Sequence, residues 1–227
     1  MAQVRDDVTW LAVVDVIKEW GSGQADIVDV GGGTGGAAVH LAKLGHRVSV
    51  IDTSPDSLAS LHRRAAEAQV EVVGIQADAS EVAEVIGANS ADVVLCHQVL
   101  HLVEDPQATV AAIAQTLRPN GIASFVFPGR YGAVISRLAA GDLDRAEQLL
   151  INEELFTAES AMELINSNGM RVERLTGLRT IVDVVPGHVL DGEPNIKEQL
   201  LRIERVLAEL NPFAQVASGL HCTARID

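Results

Sequence analysis

Along this 227-residue chain the apolar positions switch repeatedly between helical and strand spacing, and the switches mark out its elements. Trp10, Val13, Val14, Ile17 and Trp20 share one helical face, which predicts an amphipathic N-terminal helix over about 8–20, stopped by Gly21. "DIVDV" reads as strand one, "GGAAVHLAKLG" as a helix ending at Gly45, and "RVSVID" as strand two. Ser54 with Pro55 and Asp105 with Pro106 pair a capping side chain with a proline whose missing N–H costs nothing in a first turn, so a helix opens at each. Between and after them "VEVVGIQ", "ADVVLCH" and "IASFVF" supply strands three, four and five, with "RPNG" turning the chain into the last.

Repeats of this length imply a parallel sheet covered by helices on both faces. After Pro128 the scheme is interrupted by helix-like segments around "AAGDLD", an insertion over about 130–155 placed to cover a site. A helix from Thr157 to Asn168 follows, then strand six running through "RTIVDVV", then the amphipathic "IKEQLLRIERVLAEL", stopped by Asn211-Pro212. Leu220, Cys222, Ala224 and Ile226 alternate with His221, Thr223 and Arg225, which predicts a last, half-exposed strand. The expectation is an α/β, Rossmann-like fold of one domain spanning residues 1–227.

Composition narrows the partners. A net charge of −14 repels polyanions, and no basic run exceeds Arg63-Arg64, so nucleic acid is disfavoured. Cys96 and Cys222 lie too far apart in sequence to form a disulfide framework, which fits a reducing, cytoplasmic setting. The apolar run Leu11–Ile17, broken by Asp15, is too short to span a membrane.

The chemistry concentrates in "IVDVGGGTGG". A glycine-rich turn between a first strand and a helix brings ligand against backbone N–H groups. Gly31, Gly33 and Gly36 satisfy the dinucleotide pattern, while Gly31, Gly33 and Gly35 satisfy that of S-adenosylmethionine binding. Asp52, with Thr53 beside it at the end of strand two, suits the ribose diol of either cofactor. Three features favour S-adenosylmethionine. Asp29 adds a carboxylate that suits an ammonium and a sulfonium better than a pyrophosphate. In "ADA", Asp78 can accept from an adenine amino group and the Ala79 N–H can donate to the ring. "LRPNG" before strand five and the alternating last strand complete the pattern.

From these residues the chain resembles the class I S-adenosylmethionine-dependent methyltransferases, a resemblance that implies a seven-stranded, mostly parallel sheet with its last strand antiparallel. "VDVGGGTGGAAVHLAKLGH", "VLCHQVLHLVEDP", "QTLRPNGIASFVF" and "TGLRT" are similar to the bacterial tRNA carboxymethoxyuridine methyltransferase group. That similarity implies Arg5 on the methionine carboxylate, Gly31 and Gly32 lining the cofactor beside the Gly33 of the glycine pattern, and Asp52 on ribose. It also implies Asp78 and Ala79 at adenine, and Cys96 and His97 near the methionine backbone.

His97 and His101 would fall on one face if a helix began there, but no carboxylate or second cysteine completes a metal-ligand set at the usual spacing. His97 is read as lining the cofactor, and His101 as packing beneath the next helix or facing substrate. Arg179, with Arg130 and Tyr131, is the candidate anchor for the acceptor, because a guanidinium grips a carboxylate in bidentate fashion. The expected activity is methyl transfer to a small carboxylate- or hydroxyl-bearing acceptor, with carboxymethoxyuridine in tRNA as the alternative. A nicotinamide-dependent oxidoreductase and a non-catalytic cofactor-binding protein are the alternatives from other classes.

Overall fold

A computed structural model of the chain describes residues 2–186 and 194–226, with side chains from Val8 onward except that of Pro194. A seven-stranded sheet runs in the order β3-β2-β1-β4-β5-β7-β6. Its strands are β1 (Asp26–Val30), β2 (Arg47–Asp52), β3 (Val73–Gln76), β4 (Ala91–His97), β5 (Leu117–Pro128), β6 (Met170–Leu178) and β7 (Gly219–Ile226). The pairs from β3 through β5 are parallel, and β7 lies antiparallel between β5 and β6.

The helices are α1 (Ala2–Trp20), α2 (Gly36–Lys43), α3 (Pro55–Glu67), α4 (Val82–Ile86), α5 (Pro106–Thr116), α6 (Arg130–Ala139), α7 (Leu143–Ile151), α8 (Ala158–Asn166), α9 (Pro194–Glu209) and α10 (Asn211–Gln215). Their starts follow local chemistry. Ser54 accepts from the Ser57 N–H, Asp105 from that of Ala108, and Thr157 from that of Ser160, each satisfying a first-turn donor that has no helical partner.

Strand alternation sends the two sets of side chains to two cores. Val28, Val30, Val94, Cys96 and Phe125 pack with α5 and α8, while Ile27, Val93, Leu95 and Ile122 pack with α1, α2 and α3. The insertion after β5 is a helical hairpin of α6 and α7 with its own small core of Val134, Ala146 and Leu149. Among the described residues no helix is long and apolar enough to cross a membrane.

Several expectations are corrected. Strand six stops at Leu178 instead of running through Val185. Arg179 turns into a left-handed conformation (φ 55°), and the N–H groups of Thr180, Ile181 and Val182 all donate to the buried carboxylate of Glu204 on α9. A segment whose donors are taken by one carboxylate cannot continue a sheet ladder. The last strand is buried on both faces through Ala224 because it sits inside the sheet, where His221 bonds across the strands to Ser124 and Thr176 while Thr223 Oγ1 is buried without a partner among the described residues. No helix begins at His97, since residues 98–104 form turns, so the helical spacing of His97 and His101 is not realised. The N-terminal helix starts at Ala2, well before residue 8, and the chain resumes a short helix, α10, immediately after the expected stop.

Candidate functional site

The site lies where the sequence spends its glycines, at the carboxyl ends of β1, β2 and β4, the edge at which doubly wound sheets bind ligands. The loop is held by its backbone. The Gly31 N–H donates to the Ile51 carbonyl at 2.7 Å, and that of Gly33 to Asp52 Oδ2 at 2.9 Å. Asp52 Oδ1 accepts from the Ser54 N–H at 2.9 Å, so one carboxylate ties the loop to the end of β2 and to the start of α3.

The chain's own packing explains three of the glycines. A Cβ on Gly31 would fall 2.3 Å from Val99 Cγ2, one on Gly32 2.5 Å from Asp29 Oδ2, and one on Gly35 2.0 Å from Leu61 Cδ1. Gly31 and Gly35 also hold positive φ, where a side chain is strained. Gly36 faces open space, so the loop is stripped of side chains partly for ligand access and partly to seat Val99, Asp29 and Leu61.

Two clefts flank Gly31. One, of about 590 Å³, is lined by Thr9, Trp10, Asp29, Gly32, His40 and His97. The other, of about 420 Å³, is lined by Asp52, Thr53, Asp78, Ala79, Val99 and Leu102. A cleft of about 320 Å³ under α1 and α9 lies elsewhere and contains His221 but none of the glycine loop.

Asp29 is only 6% exposed although it lines the first cleft. Burial, with the nearby Asp52 charge adding to it, pushes its carboxyl up to about 7. A buried carboxylate in this state has a strong preference for a cationic partner. Asp78 holds a capping box: its Oδ1 accepts from the Ser80 N–H and hydroxyl at 2.9 and 2.7 Å, and its own N–H donates to Glu81. Those bonds, the Ser80 N–H first, hold its pKa below the usual carboxylate value. Its role as a cap and its place in the cleft coexist.

His97 Nε2 is 2.8 Å from Ser124 Oγ, which lies 2.9 Å from Nε2 of His221. Burial pushes His97 down to about 4, and burial, His97 and Arg174 together push His221 to about 3, so both imidazoles are neutral at pH 7. Ser124 and His221 were not singled out in the sequence, where 97 residues separate them; the period-two pattern around His221 is the only local trace.

Other expected residues lie apart. Cys96 points into the α5–α8 core, where burial pushes its thiol up, and it lines neither cleft beside Gly31. His101 sits in the turns after β4, with Nδ1 buried and without a hydrogen-bond partner, and also lines neither cleft. Tyr131 is exposed on the first turn of α6. Arg179, at the carboxyl end of β6, faces Asp183 at 3.8 Å, and Arg130 is turned toward the Leu155 carbonyl and Glu153. The side chain of Arg5 lies outside the described residues. Among the described residues no cluster of His, Cys, Asp and Glu could hold a metal ion.

This strand order, with an antiparallel strand between β5 and β6 and a glycine loop after β1, defines the class I methyltransferase architecture. Residues 28–125 match the methyltransferase domain family. The chain is an S-adenosylmethionine-dependent methyltransferase, and the oxidoreductase and non-catalytic alternatives fall. It is 25% identical, over 98% of its length and 88% of the relative's, to the tRNA 5-carboxymethoxyuridine methyltransferase of Escherichia coli (strain K12). It is 36% identical to a ubiquinone biosynthesis O-methyltransferase of Xanthomonas oryzae pv. oryzae (strain PXO99A), over 43% of this chain and 40% of that one. Its fold is similar to geranyl diphosphate C-methyltransferase from Streptomyces coelicolor A3(2), with a TM-score of 0.63, 16% identity, and coverage of 96% of this chain and 79% of the other.

Proposed function

We propose that the chain methylates a small carboxylate- or hydroxyl-bearing acceptor, with the cofactor laid across Gly31 from one cleft to the other. Bound S-adenosylmethionine supplies an electrophilic methyl group on a sulfonium. The cleft of Asp52, Asp78 and Ala79 suits its adenosine, since Asp52 keeps lone pairs for a ribose diol after accepting two backbone N–H groups. The exposed Leu102 offers an apolar wall there for the purine. The cleft of Asp29, Gly32 and His97 suits the methionine end: a buried carboxylate raised to about 7 gains from an ammonium beside it. We place the acceptor beyond β5 and β6, near Tyr131 and Arg179, under α6 and α7. Orientation and exclusion of water then supply most of the rate.

The observation that carries the choice of a small acceptor is the pairing of six arginines that follow β5 in the chain. Arg130, Arg137, Arg145, Arg171, Arg174 and Arg179 each face a carboxylate of this chain within 4 Å: Glu153, Asp142, Glu154, Glu173, Glu19 and Asp183. Their field is locally cancelled on a molecule that already carries −14, whereas RNA binding draws on phosphate contacts. The nearly full-length similarity to a tRNA methyltransferase favours a second reading, carboxyl methylation of carboxymethoxyuridine in tRNA. Binding of bulk tRNA at low and moderate salt separates the two. The small-acceptor reading expects no salt-sensitive complex; such a complex, with methyl transfer to RNA bearing the carboxymethoxy group, would replace it.

A further inference from the structure

The polar chain behind His97 crosses four strands. His97 on β4, Ser124 on β5, His221 on β7 and Thr176 on β6 point to the same side of the sheet, and the last link, His221 Nδ1 to Thr176 Oγ1, is a longer 3.4 Å contact. Ser124, His221 and Thr176 are buried, and His97 reaches the cleft beside Asp29 and Gly32. Apolar residues would fill this space at lower desolvation cost, so the hydrogen-bonded order of the chain calls for a role.

The hydroxyl of Ser124 has one proton and sits between two Nε2 atoms. It can donate to one imidazole only, and while it does so it accepts from the other. With both rings neutral, a proton on Nε2 of His97 requires a bare Nε2 on His221, whose proton is then on Nδ1, donating to Thr176. The opposite arrangement reverses every bond. The two tautomers are therefore complementary and change together.

We infer that Ser124 and His221 are positioning residues that set the tautomer of His97 and aim its Nδ1, which makes no hydrogen bond among the described residues, into the cofactor cleft as an acceptor. This rests on the reading of that cleft as the methionine end of the cofactor site. With Asp29 on β1 as its anionic wall, a ligand ammonium there meets a carboxylate and a bare imidazole nitrogen together. The ammonium selects the arrangement in which His97 carries its proton on Nε2 and His221 on Nδ1. Burial first, then His97 and the field of Arg174 on β6, keep His221 neutral, and the cleft that His221 and Thr176 line on the α1 side also holds Asp15, Lys18, Glu204, Arg205 and Glu209.

Long-range proton–nitrogen correlation on histidine-labelled full-length protein reads each tautomer directly, with and without S-adenosylhomocysteine. The expected result with the ligand is Nε2–H on His97 and Nδ1–H on His221. Ser124→Ala should uncouple the rings and weaken S-adenosylhomocysteine about tenfold, and Ser124→Thr, which restores the hydroxyl, should recover both readouts. Protons on Nε2 of both rings, a proton on His97 Nδ1 in the complex, or wild-type affinity in Ser124→Ala would overturn the inference. A wild-type protein that bound no S-adenosylhomocysteine would overturn the cofactor placement instead. The ring protons of the free protein would then still decide the coupling, complementary positions supporting it and matching positions refuting it.

Discussion

Asp52 and Asp29 stand a short distance apart at the glycine loop with opposite tasks. Asp52 accepts two backbone N–H groups and has capacity left for a diol. Asp52→Ala is expected to weaken S-adenosylhomocysteine by about 1.5–3 kcal/mol, the scale of hydrogen bonds to a charged group, in a titration on folded variant. Unchanged affinity would remove Asp52 from the ribose. Asp29 instead has its pKa raised by burial to about 7 in place of 3.8, so it is partly ionised at pH 7 and an ammonium beside it favours the anion. From about pH 4 to 7 the folded state then holds a proton that the unfolded state has released, so this residue makes stability fall as pH rises through that window. Asp29→Asn should flatten that slope, giving a higher Tm than wild type at pH 8 and little difference below pH 4. A parallel pair of Tm–pH curves would contradict the assignment. Asp52 and Asp29 were both legible, because each lies within a few residues of the glycines or at the end of the next strand. His221 was not, because its partner Ser124 is near only through the pairing of β5 with β7.

At the scale of elements, β1, β2 and β4 coincide with the runs "DIVDV", "RVSVID" and "ADVVLCH", since a strand buried on both faces writes itself as a short apolar run between turn residues. The end of β6 did not, because the signal that stops it is Glu204, more than 20 residues downstream on a helix whose pattern looks fully amphipathic. Glu204→Gln keeps the shape but loses the charge that holds three N–H groups, and should cost about 2–4 kcal/mol of unfolding free energy in denaturant titration. A loss near zero would mean that the turn after β6 is fixed by something else. The hairpin of α6 and α7 leaves Ile135, Leu138, Leu150 and Ile151 exposed around a small core, the make-up of an element that opens at low cost. If it covers the acceptor, amide exchange over 130–151 should slow when cofactor and acceptor are both bound, whereas exchange equal with and without them would make it a surface elaboration.

The whole molecule carries −14 charges, and six arginines after β5 face its own carboxylates. The methyltransferase domain match and the strand order make it a methyltransferase, and the proposal of a small acceptor over a nucleic acid rests on the distribution of charge. The most direct test follows the methyl group. The protein is incubated with S-adenosylmethionine labelled in its methyl, together with separated small-molecule and RNA fractions of a cell extract, and the label is traced to its acceptor. The account predicts label in the small-molecule fraction, on a carboxylate or a hydroxyl, and label recovered in tRNA would contradict it.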